Sequence, residues 1–241
     1  MIVHEKALRP PGALYGARME LNGTVASLNV GRSRTGSGLP ARGTAIDKRP
    51  VEGRIPVTLQ GVEGDTQVDR RHHGGPHQAV YAYALEDLRW WATELAATLG
   101  TGPHPGQFGE NVTTIGLDVT HAVIGERWLI GTTELEVSAP RIPCRAFATW
   151  MAVPRWVRRF SERGACGAYL RVITEGTCGR GDDIVVLARP LHGVTVGQVF
   201  QALLGEAADL DRIADAPALP PALARDLRLR ADRRAVVTPV G

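Results

Sequence analysis

The sequence predicts a mainly β protein with helices, organised as a β-barrel or closed mixed sheet and followed by a small unit of three helices. Three observations favour this class. Short apolar runs typical of strands recur up to residue 189, and helical patterns are inserted among them rather than alternating with them. No Gly-x-Gly-x-x-Gly follows a strand pattern, which removes the usual argument for a dinucleotide fold. After Pro190 the spacing of apolar residues becomes helical.

The strands are predicted from runs of β-branched and aromatic residues that are bounded by glycine, proline and polar residues. A typical run is AVYAY at residues 79–83. The sequence Gly-Thr-Thr at residues 131–133 separates two such runs and predicts a hairpin. In chain order, the predicted strands cover residues 23–30, 57–62, 79–83, 111–115, 127–130, 134–137, 168–173 and 183–188.

The helices are predicted where apolar residues recur at spacings of three and four. In the tail, Thr195 and Gln198 form a capping-box pattern, and the apolar stripe that begins at Val196 ends at Gly205. The other predicted helices cover residues 86–99, 153–163, 210–214 and 221–234. We therefore expect three parts, namely a disordered leader (1–20), a barrel domain (21–189) and a three-helix domain (190–241).

The composition argues against several classes of protein. Charged residues make up 22% and apolar residues 44% of the 241 residues, and the net charge of +3 is too small to indicate a nucleic-acid partner. Three cysteines are an odd number and favour reduced thiols over a disulfide framework. No run reaches the length of a membrane span, and the first residues lack the apolar stretch of a signal peptide. We expect a cytoplasmic protein.

The segment SAPRIPCRA places Cys144 among residues that are unusual for a core cysteine. Arg141 and Arg145 supply positive charge, which favours the thiolate, the form that acts as nucleophile and as soft-metal ligand. Pro140 and Pro143 stiffen the turn. A reactive or metal-binding thiol and a buried structural thiol are about equally consistent with these residues, since burial is the usual fate of an unpaired cysteine.

The segment before the predicted strand 79–83 is rich in glycine and histidine. Gly74 and Gly75 would let backbone amides approach a ligand closely. His72, His73 and His77 have spacings that fit no standard zinc site, so a solvated loop is favoured over a histidine-bound metal. A cradle for an anion or cofactor, made of glycine amides and one histidine, stays open.

Two further groups of polar residues have an ordinary and a functional interpretation. Asn111 and Thr113, which follow Glu110 in the run GQFGENVTTIG, either begin a strand or hydrogen-bond a phosphate. Lys48 and Arg54 either belong to a solvated face or clamp a phosphate.

Four short motifs carry a resemblance to a known family. They are, in order, GVEGD at 61–65, HGGP at 73–76, FGEN at 108–111 and PRIPC at 140–144. Together with residues 167–174 and 194–196, their order and spacing resemble the MOSC domain, the C-terminal type of molybdenum cofactor sulfurase, in its YiiM-like branch. The resemblance runs from about Gly23 to the C-terminus, and the three-helix tail distinguishes this branch from a bare MOSC domain.

This resemblance implies a fold, a cofactor and an activity. It implies a β-barrel that binds molybdopterin carrying molybdenum, with Cys144 as the metal ligand and His73 or Asp65 as a proton relay. A soft thiolate suits molybdenum beside a dithiolene. Related proteins reduce N-hydroxylated compounds such as 6-N-hydroxylaminopurine, which detoxifies them to amines. Since the chain shows no flavin, iron–sulfur or nicotinamide signature, electrons are expected from a flavoprotein reductase. The protein is expected to be a monomer or a homodimer.

The resemblance also implies a set of cofactor contacts, and one position departs from the family pattern. The implied cofactor-binding residues are Lys48, Arg54, Gly74, Gly75, Glu110, Asn111, Thr113, Arg141 and Arg145. Relatives commonly carry a lysine two places after the cysteine, where this chain has Ala146. The alternative function is a carrier of molybdenum cofactor or sulfur without turnover, in which Cys144 would carry a persulfide. A nucleic-acid accessory is disfavoured because the arginine-rich last helix lacks aromatic residues for stacking.

Overall fold

The structure, a computed structural model, describes residues 20–35, 43–68, 74–100 and 102–237. Its strands are β1 (Glu20–Gly31), β2 (Lys48–Pro50), β3 (Ile55–Thr58), β4 (Gly61–Val62), β5 (Val80–Ala84), β6 (Val112–Ile115), β7 (Arg127–Ile130), β8 (Thr133–Pro140), β9 (Ala168–Thr174), β10 (Gly176–Cys178) and β11 (Asp183–Ala188). Its helices are α1 (Leu85–Leu99), α2 (Arg145–Met151), α3 (Trp156–Arg163), α4 (Val196–Leu204), α5 (Leu210–Ala214) and α6 (Pro221–Val237), with a 3-10 turn at Pro76–Gln78.

Seven strands form the closed β-barrel that the sequence predicts. Their order around the barrel is β11, β7, β8, β9, β5, β6 and β1, and the pairing of β1 with β11 closes it. Neighbouring strands are antiparallel except for β5 and β6, which are parallel and are joined through α1. β2 extends the sheet beside β1, whereas β3, β4 and β10 form a separate three-stranded sheet.

Strand β1 closes the barrel because it pairs with two different strands along its length. Its first residues pair with β11 and later ones with β6, and the register shifts after Leu21 and after Val25. Such bulges bend a strand and increase its twist, which lets a sheet curve onto itself. At Gly23, between the two shifts, a Cβ atom would lie 2.7 Å from the carbonyl oxygen of Ile115, so this close approach requires glycine.

An aromatic cluster holds α1, α2 and α3 together beside the barrel. Phe108 is fully buried, and its ring centroid lies 5.4 Å from those of Phe147 in α2 and Trp156 in α3. Trp91 of α1 lies 4.7 Å from Trp156 and donates a hydrogen bond of 3.0 Å to the hydroxyl of Tyr83. Edge-to-face aromatic pairs add to the free energy gained by burial. The cluster therefore anchors the FGEN motif, in which Phe108 lies.

The three helices predicted for the tail are present. The side chains of Thr195 and Gln198 form the predicted capping box at the start of α4. Phe200 of α4 is fully buried, and its ring centroid lies 6.4 Å from that of Phe160 in α3. Among the described helices, none is both long enough and apolar enough to cross a membrane. The boundaries expected for the three domains stay a prediction.

Several elements differ from the predictions. Residues 57–62 are not one strand but the hairpin of β3 and β4, which turns at Leu59 and Gln60. The short strands β2 and β10 and the helix α2 were not predicted, because three to seven residues show little periodicity. The second predicted helix begins at Trp156 rather than at Val153. The expected leader lies outside the described residues, apart from Glu20.

Replacing the central ring of the cluster is expected to destabilise the protein strongly. Phe108→Ala would leave a cavity among five aromatic rings, and such changes cost about 3–5 kcal/mol of the free energy of unfolding. Val157→Ala, at a position on α3 that is 40% exposed, serves as the control and is expected to change that free energy by no more than about 0.5 kcal/mol. Urea unfolding of both variants measures the difference, and equal effects would contradict the role given to Phe108.

Candidate functional site

A pocket of about 400 Å³ lies at the barrel end where residues of β2, β5 and β9 meet the segment that follows β8. It brings together six of the residues that the sequence predicts for a site. These six are Lys48, Asp65, Asn111, Arg141, Cys144 and Arg145. Ala146, the position that departs from the family pattern, lines the same pocket.

Cys144 reaches the pocket from a backbone that is held on both sides. Only three residues separate it from the end of β8 at Pro140. It then caps α2, with extended backbone angles and a carbonyl oxygen that accepts a hydrogen bond of 3.0 Å from the amide of Ala148. Phe147 and Met151 bury the inner face of α2. The residue is half-buried, forms no disulfide and lies at the pocket wall.

Arg141 is a buried cation without a matching carboxylate. It is only 7% exposed, and its guanidinium lies 4.4 Å from the ring centroid of Phe147 and 5.1 Å from that of Tyr81. Its side chain hydrogen-bonds that of Tyr169, whereas its Nε atom has no hydrogen-bond partner among the described residues. No carboxylate in the described part of the chain forms an ion pair with it. Because a buried charge is costly unless it is paired, this arrangement indicates that the pocket accepts an anion.

A network around Asp65 fixes the second cation of the pocket. The carboxylate accepts hydrogen bonds from the amide of Gly31 at 2.7 Å and from Nδ2 of Asn111 at 2.9 Å, and it pairs with Nζ of Lys48. Both side chains of the pair are almost fully buried. Burial lowers the pKa of Lys48, and the charge of Asp65 opposes that shift. Both oxygens of Asp65 are therefore occupied by partners within this network.

Glu110 and Thr113 were expected to contact a cofactor, but neither side chain lines the pocket. Glu110 is fully buried and accepts hydrogen bonds from the amides of Gly106 at 2.5 Å and Phe108 at 3.1 Å. The hydroxyl of Thr113 donates to the same carboxylate at 3.1 Å. Burial raises the pKa of Glu110 to about 7, against the opposing effect of these hydrogen bonds. The effect of either residue on a ligand is therefore indirect.

The other predicted residues lie away from the pocket or outside the described chain. Arg54 does not line the pocket, since it binds Asp182 at 2.7 Å and the carbonyl oxygen of Thr177 at 2.9 Å beside the small sheet. Gly74 does not line it either. The amide of Gly75 donates a hydrogen bond of 3.1 Å to Gln67, which lines the pocket, so Gly75 contacts a lining residue rather than the pocket itself.

The histidine-rich loop is only partly described. His72 and His73 lie outside the described residues. Nδ1 of His77 is buried without a hydrogen-bond partner, and His77 does not line the pocket. Within the described ranges, no group of three His, Cys, Asp or Glu side chains is arranged to hold a metal ion.

Sequence reasoning missed the aromatic wall of the pocket. Tyr81 and Tyr169 line it, with ring centroids 5.1 Å apart. Both residues lie in strands that the sequence predicts, β5 and β9. However, a strand pattern does not show which residue of a buried strand points toward a ligand, so no signal in the sequence singles them out.

A larger open groove of about 1090 Å³ lies at the opposite end of β5 and β6. Its charged side chains largely pair with each other. Asp87 binds Arg163 at 2.7 Å and Asp209 binds Arg212 at 3.0 Å. The groove has no thiol and, unlike the smaller pocket, no unpaired buried cation among its lining residues. The smaller pocket is therefore the better candidate site.

The fold and the site together define a β-barrel protein with a cysteine in a cationic pocket. Residues 69–185 match the family described as the MOSC domain. YflK, an uncharacterized protein of Bacillus subtilis, is 33% identical over 177 residues, which cover 72% of this chain and 77% of YflK. The chain belongs to the MOSC domain family, whose members are generally associated with the molybdenum cofactor, and the resemblance stated from the four motifs is confirmed.

Two further proteins extend the comparison. The crystal structure of YiiM from Geobacillus stearothermophilus superposes with a TM-score of 0.71 at 28% identity, over 86% of this chain and 98% of that one. This places the chain with the YiiM-like proteins and confirms the predicted fold. A protein of Gibberella moniliformis named a reductase is 28% identical over 204 residues, and the match spans 35% of its length.

The raised pKa of Glu110 predicts a pH dependence of stability. A carboxyl group whose pKa rises on folding stabilises the protein at low pH and loses that contribution as pH increases between its unfolded value of 4.5 and about 7. The free energy of unfolding should therefore fall by roughly 2–3 kcal/mol between pH 5 and pH 8 through this residue. Glu110→Gln should remove that component. Urea unfolding of both proteins at the two pH values measures it, and identical slopes would contradict the assignment.

Proposed function

We propose that this protein binds the molybdenum cofactor in the pocket at the barrel end and reduces N-hydroxylated small molecules to amines, taking electrons from a flavoprotein reductase. The observation that carries the proposal is the presence, in one pocket, of the half-buried Cys144 thiol and the buried Arg141 cation, which forms no ion pair with a carboxylate in the described part of the chain. A soft ligand for a metal and a receiver for a phosphate are the two features that a phosphorylated metal–dithiolene cofactor needs.

The residues of the pocket fit such a group. Sγ of Cys144 would be the metal ligand, and the guanidinium of Arg141 would meet the phosphate, with Lys48 and Arg145 as neighbouring cations. Asn111 also lines the pocket. The backbone amide of Tyr81 donates a hydrogen bond of 3.1 Å to Oδ1 of Asn111 and so holds this side chain in place. When bound, the cofactor supplies a metal that exchanges two electrons and one oxygen atom with a substrate.

The contribution of the chain to the reaction is proton supply and exclusion of water. Reduction of R–NHOH to R–NH2 and water consumes two electrons and two protons. Lys48 holds a proton at Nζ inside the pocket, and Asp65 holds the Lys48 ammonium in place through their ion pair. Asp65, proposed as a relay, would thus act through Lys48 rather than carry the proton itself. The tyrosine rings of Tyr81 and Tyr169 make one wall apolar, which excludes water from part of the pocket.

The family and one relative support an oxidoreductase. The Gibberella protein is named a reductase, and MOSC domains are generally associated with the molybdenum cofactor. The proposed substrate class, typified by 6-N-hydroxylaminopurine, makes the proposed role a detoxification.

The metal content of purified protein tests the cofactor assignment. From a host that makes molybdenum cofactor, the parent should contain close to one molybdenum per chain, and Cys144→Ala should lose most of it. Cys178→Ala, which removes a buried thiol away from the pocket, is the matched control and should keep the metal. Elemental analysis measures the molybdenum, and fluorescence of the oxidised pterin measures the organic part of the cofactor. No metal in a folded parent would contradict the proposal.

Activity separates the enzyme from the carrier. Loaded parent protein, 6-N-hydroxylaminopurine and a chemically reduced viologen should yield adenine, measured by chromatography, and Cys144→Ala should yield none. A loaded parent that fails to form adenine, yet passes its cofactor to an apoenzyme, would instead favour the cofactor carrier.

Replacing Arg141 should separate ligand binding from stability. Arg141→Met puts a flexible apolar side chain against the rings of Phe147 and Tyr81 and removes a buried charge that no carboxylate in the described part of the chain pairs with. We expect the cofactor-free variant to gain about 1 kcal/mol or more in the free energy of unfolding. The same variant should lose most of its bound pterin. Urea unfolding of apoprotein and pterin analysis measure the two effects, and a large loss of stability would show that Arg141 is structural.

A further inference from the structure

We infer that Glu110 is a positioning residue for the pocket. It holds the loop Gly106–Gly109 against Lys48 and Arg141, and its charge is coupled to that of an anion bound beside them. The coupling rests on the anion site of the proposed function. The positioning role does not rest on that anion site, since it concerns contacts within the ligand-free protein.

All hydrogen bonds described for the Glu110 side chain come from uncharged donors around this loop. Oε1 accepts from the amide of Gly106 at 2.5 Å and from the hydroxyl of Thr113 at 3.1 Å, and Oε2 accepts from the amide of Phe108 at 3.1 Å. No described lysine or arginine forms an ion pair with it. The free-energy cost of burying this carboxylate is therefore offset chiefly by hydrogen bonds that fix the loop. This indicates that the conformation of the loop is important for the pocket.

The first end of the loop contacts the backbone of Lys48. The carbonyl oxygen of Gly106 accepts a hydrogen bond of 3.1 Å from the amide of Lys48. Gly106 has φ +88°, and a Cβ atom there would lie 2.4 Å from the carbonyl oxygen of Lys48. Because two peptide groups pack this tightly, a displacement of Gly106 must displace Lys48.

The other end of the loop contacts the second cation. Gly109 lines the pocket with φ +81°, and a Cβ atom there would lie 3.3 Å from Nη1 of Arg141 and 3.1 Å from the side chain of Ile46. A residue larger than glycine would therefore press on the guanidinium. Glu110, directly after Gly109, thus controls the position of the wall that faces Arg141.

The charge of Glu110 acts on the same two cations. Lys48 and Arg141 each lie within its electrostatic reach. Among the described residues, the other titratable groups beside these cations are the carboxylate of Asp65, the hydroxyls of Tyr81, Tyr83 and Tyr169, and the thiol of Cys144. An anion bound beside Lys48 and Arg141 would repel ionised Glu110 and favour its protonated form. By linkage, protonation of Glu110 would strengthen anion binding by the same factor.

Hydrogen exchange of the ligand-free full chain tests the positioning. Glu110→Gln loses at least one acceptor of a loop amide, so exchange should become about threefold faster or more in residues 104–112 and, as the diagnostic result, in residues 45–50 around Lys48. Glu126→Gln is the matched control because Glu126 is equally buried but binds Trp128 and Arg189. It should leave residues 45–50 unchanged. Unchanged exchange at 45–50 in Glu110→Gln would overturn the positioning role.

Sulfate binding tests the coupling, since sulfate stays a dianion over the pH range used. Calorimetric affinity for sulfate should fall about fivefold or more between pH 6 and pH 8.5 in the parent. Glu110→Gln should remove most of this dependence, whereas Thr113→Val should keep it and move its midpoint to higher pH, because the hydroxyl favours the ionised carboxylate. The same dependence in parent and Glu110→Gln would overturn the coupling. A parent that binds no sulfate would overturn both the coupling and the anion site of the proposed function, while the exchange result alone decides the positioning.

Discussion

Strand β1 is the element on which both the barrel and the pocket depend, because its first residues pair with β11 to close the sheet. The strand that closes the barrel ends in Asn29–Gly31, and these residues also bind the segments that form the pocket. The amide of Asn29 donates to the carbonyl oxygen of Asn111 at 2.7 Å, and the amide of Gly31 donates to Asp65 at 2.7 Å. A Cβ atom at Gly31 would lie 2.3 Å from the carbonyl oxygen of Ala45. Closure of the sheet and assembly of the site therefore depend on opposite ends of the same strand.

The two buried carboxylates beside the pocket show how local partners decide the behaviour of chemically similar groups. Asp65 faces a lysine, an asparagine amide and a backbone amide, so a full positive charge compensates its own. Glu110 faces only uncharged donors, and burial prevails in raising its pKa. Of the two carboxylates beside the pocket, one is therefore balanced by a cation, and the other accepts hydrogen bonds from the amides of a backbone loop.

The sequence allows the barrel, the tail helices and six residues of the pocket to be predicted, because strand patterns, the capping box and four ordered motifs are local signals. It does not show the positions of residues that depend on distant contacts. Arg54 resembles a phosphate ligand in sequence, but the pairing of β3 with β10 places it beside Thr177 and Asp182. Glu110 belongs to a matching motif, but only the folded loop shows that its side chain turns away from the pocket.

The aromatic wall was missed for a related reason. Tyr81 lies in a strand whose residues are all buried, so burial and periodicity do not separate the residue that faces a ligand from its neighbours. Helix α2 was missed because its seven residues follow a proline-rich turn and show one apolar pair. Contacts with Phe108 and Arg141 hold these segments in place. Phe108 is distant in sequence from Phe147 of α2, and Arg141 is distant in sequence from Tyr81.

The unequal burial of the three cysteines has a consequence for oxidative damage. Cys166 and Cys178 are buried, and burial raises the pKa of both thiols, that of Cys178 to about 12. Neither is suited to attack a sulfenic acid formed on the half-buried Cys144. Repair of that oxidised cysteine therefore depends on a small external thiol entering the pocket, and any ligand that occupies the pocket protects the sulfur while it stays bound.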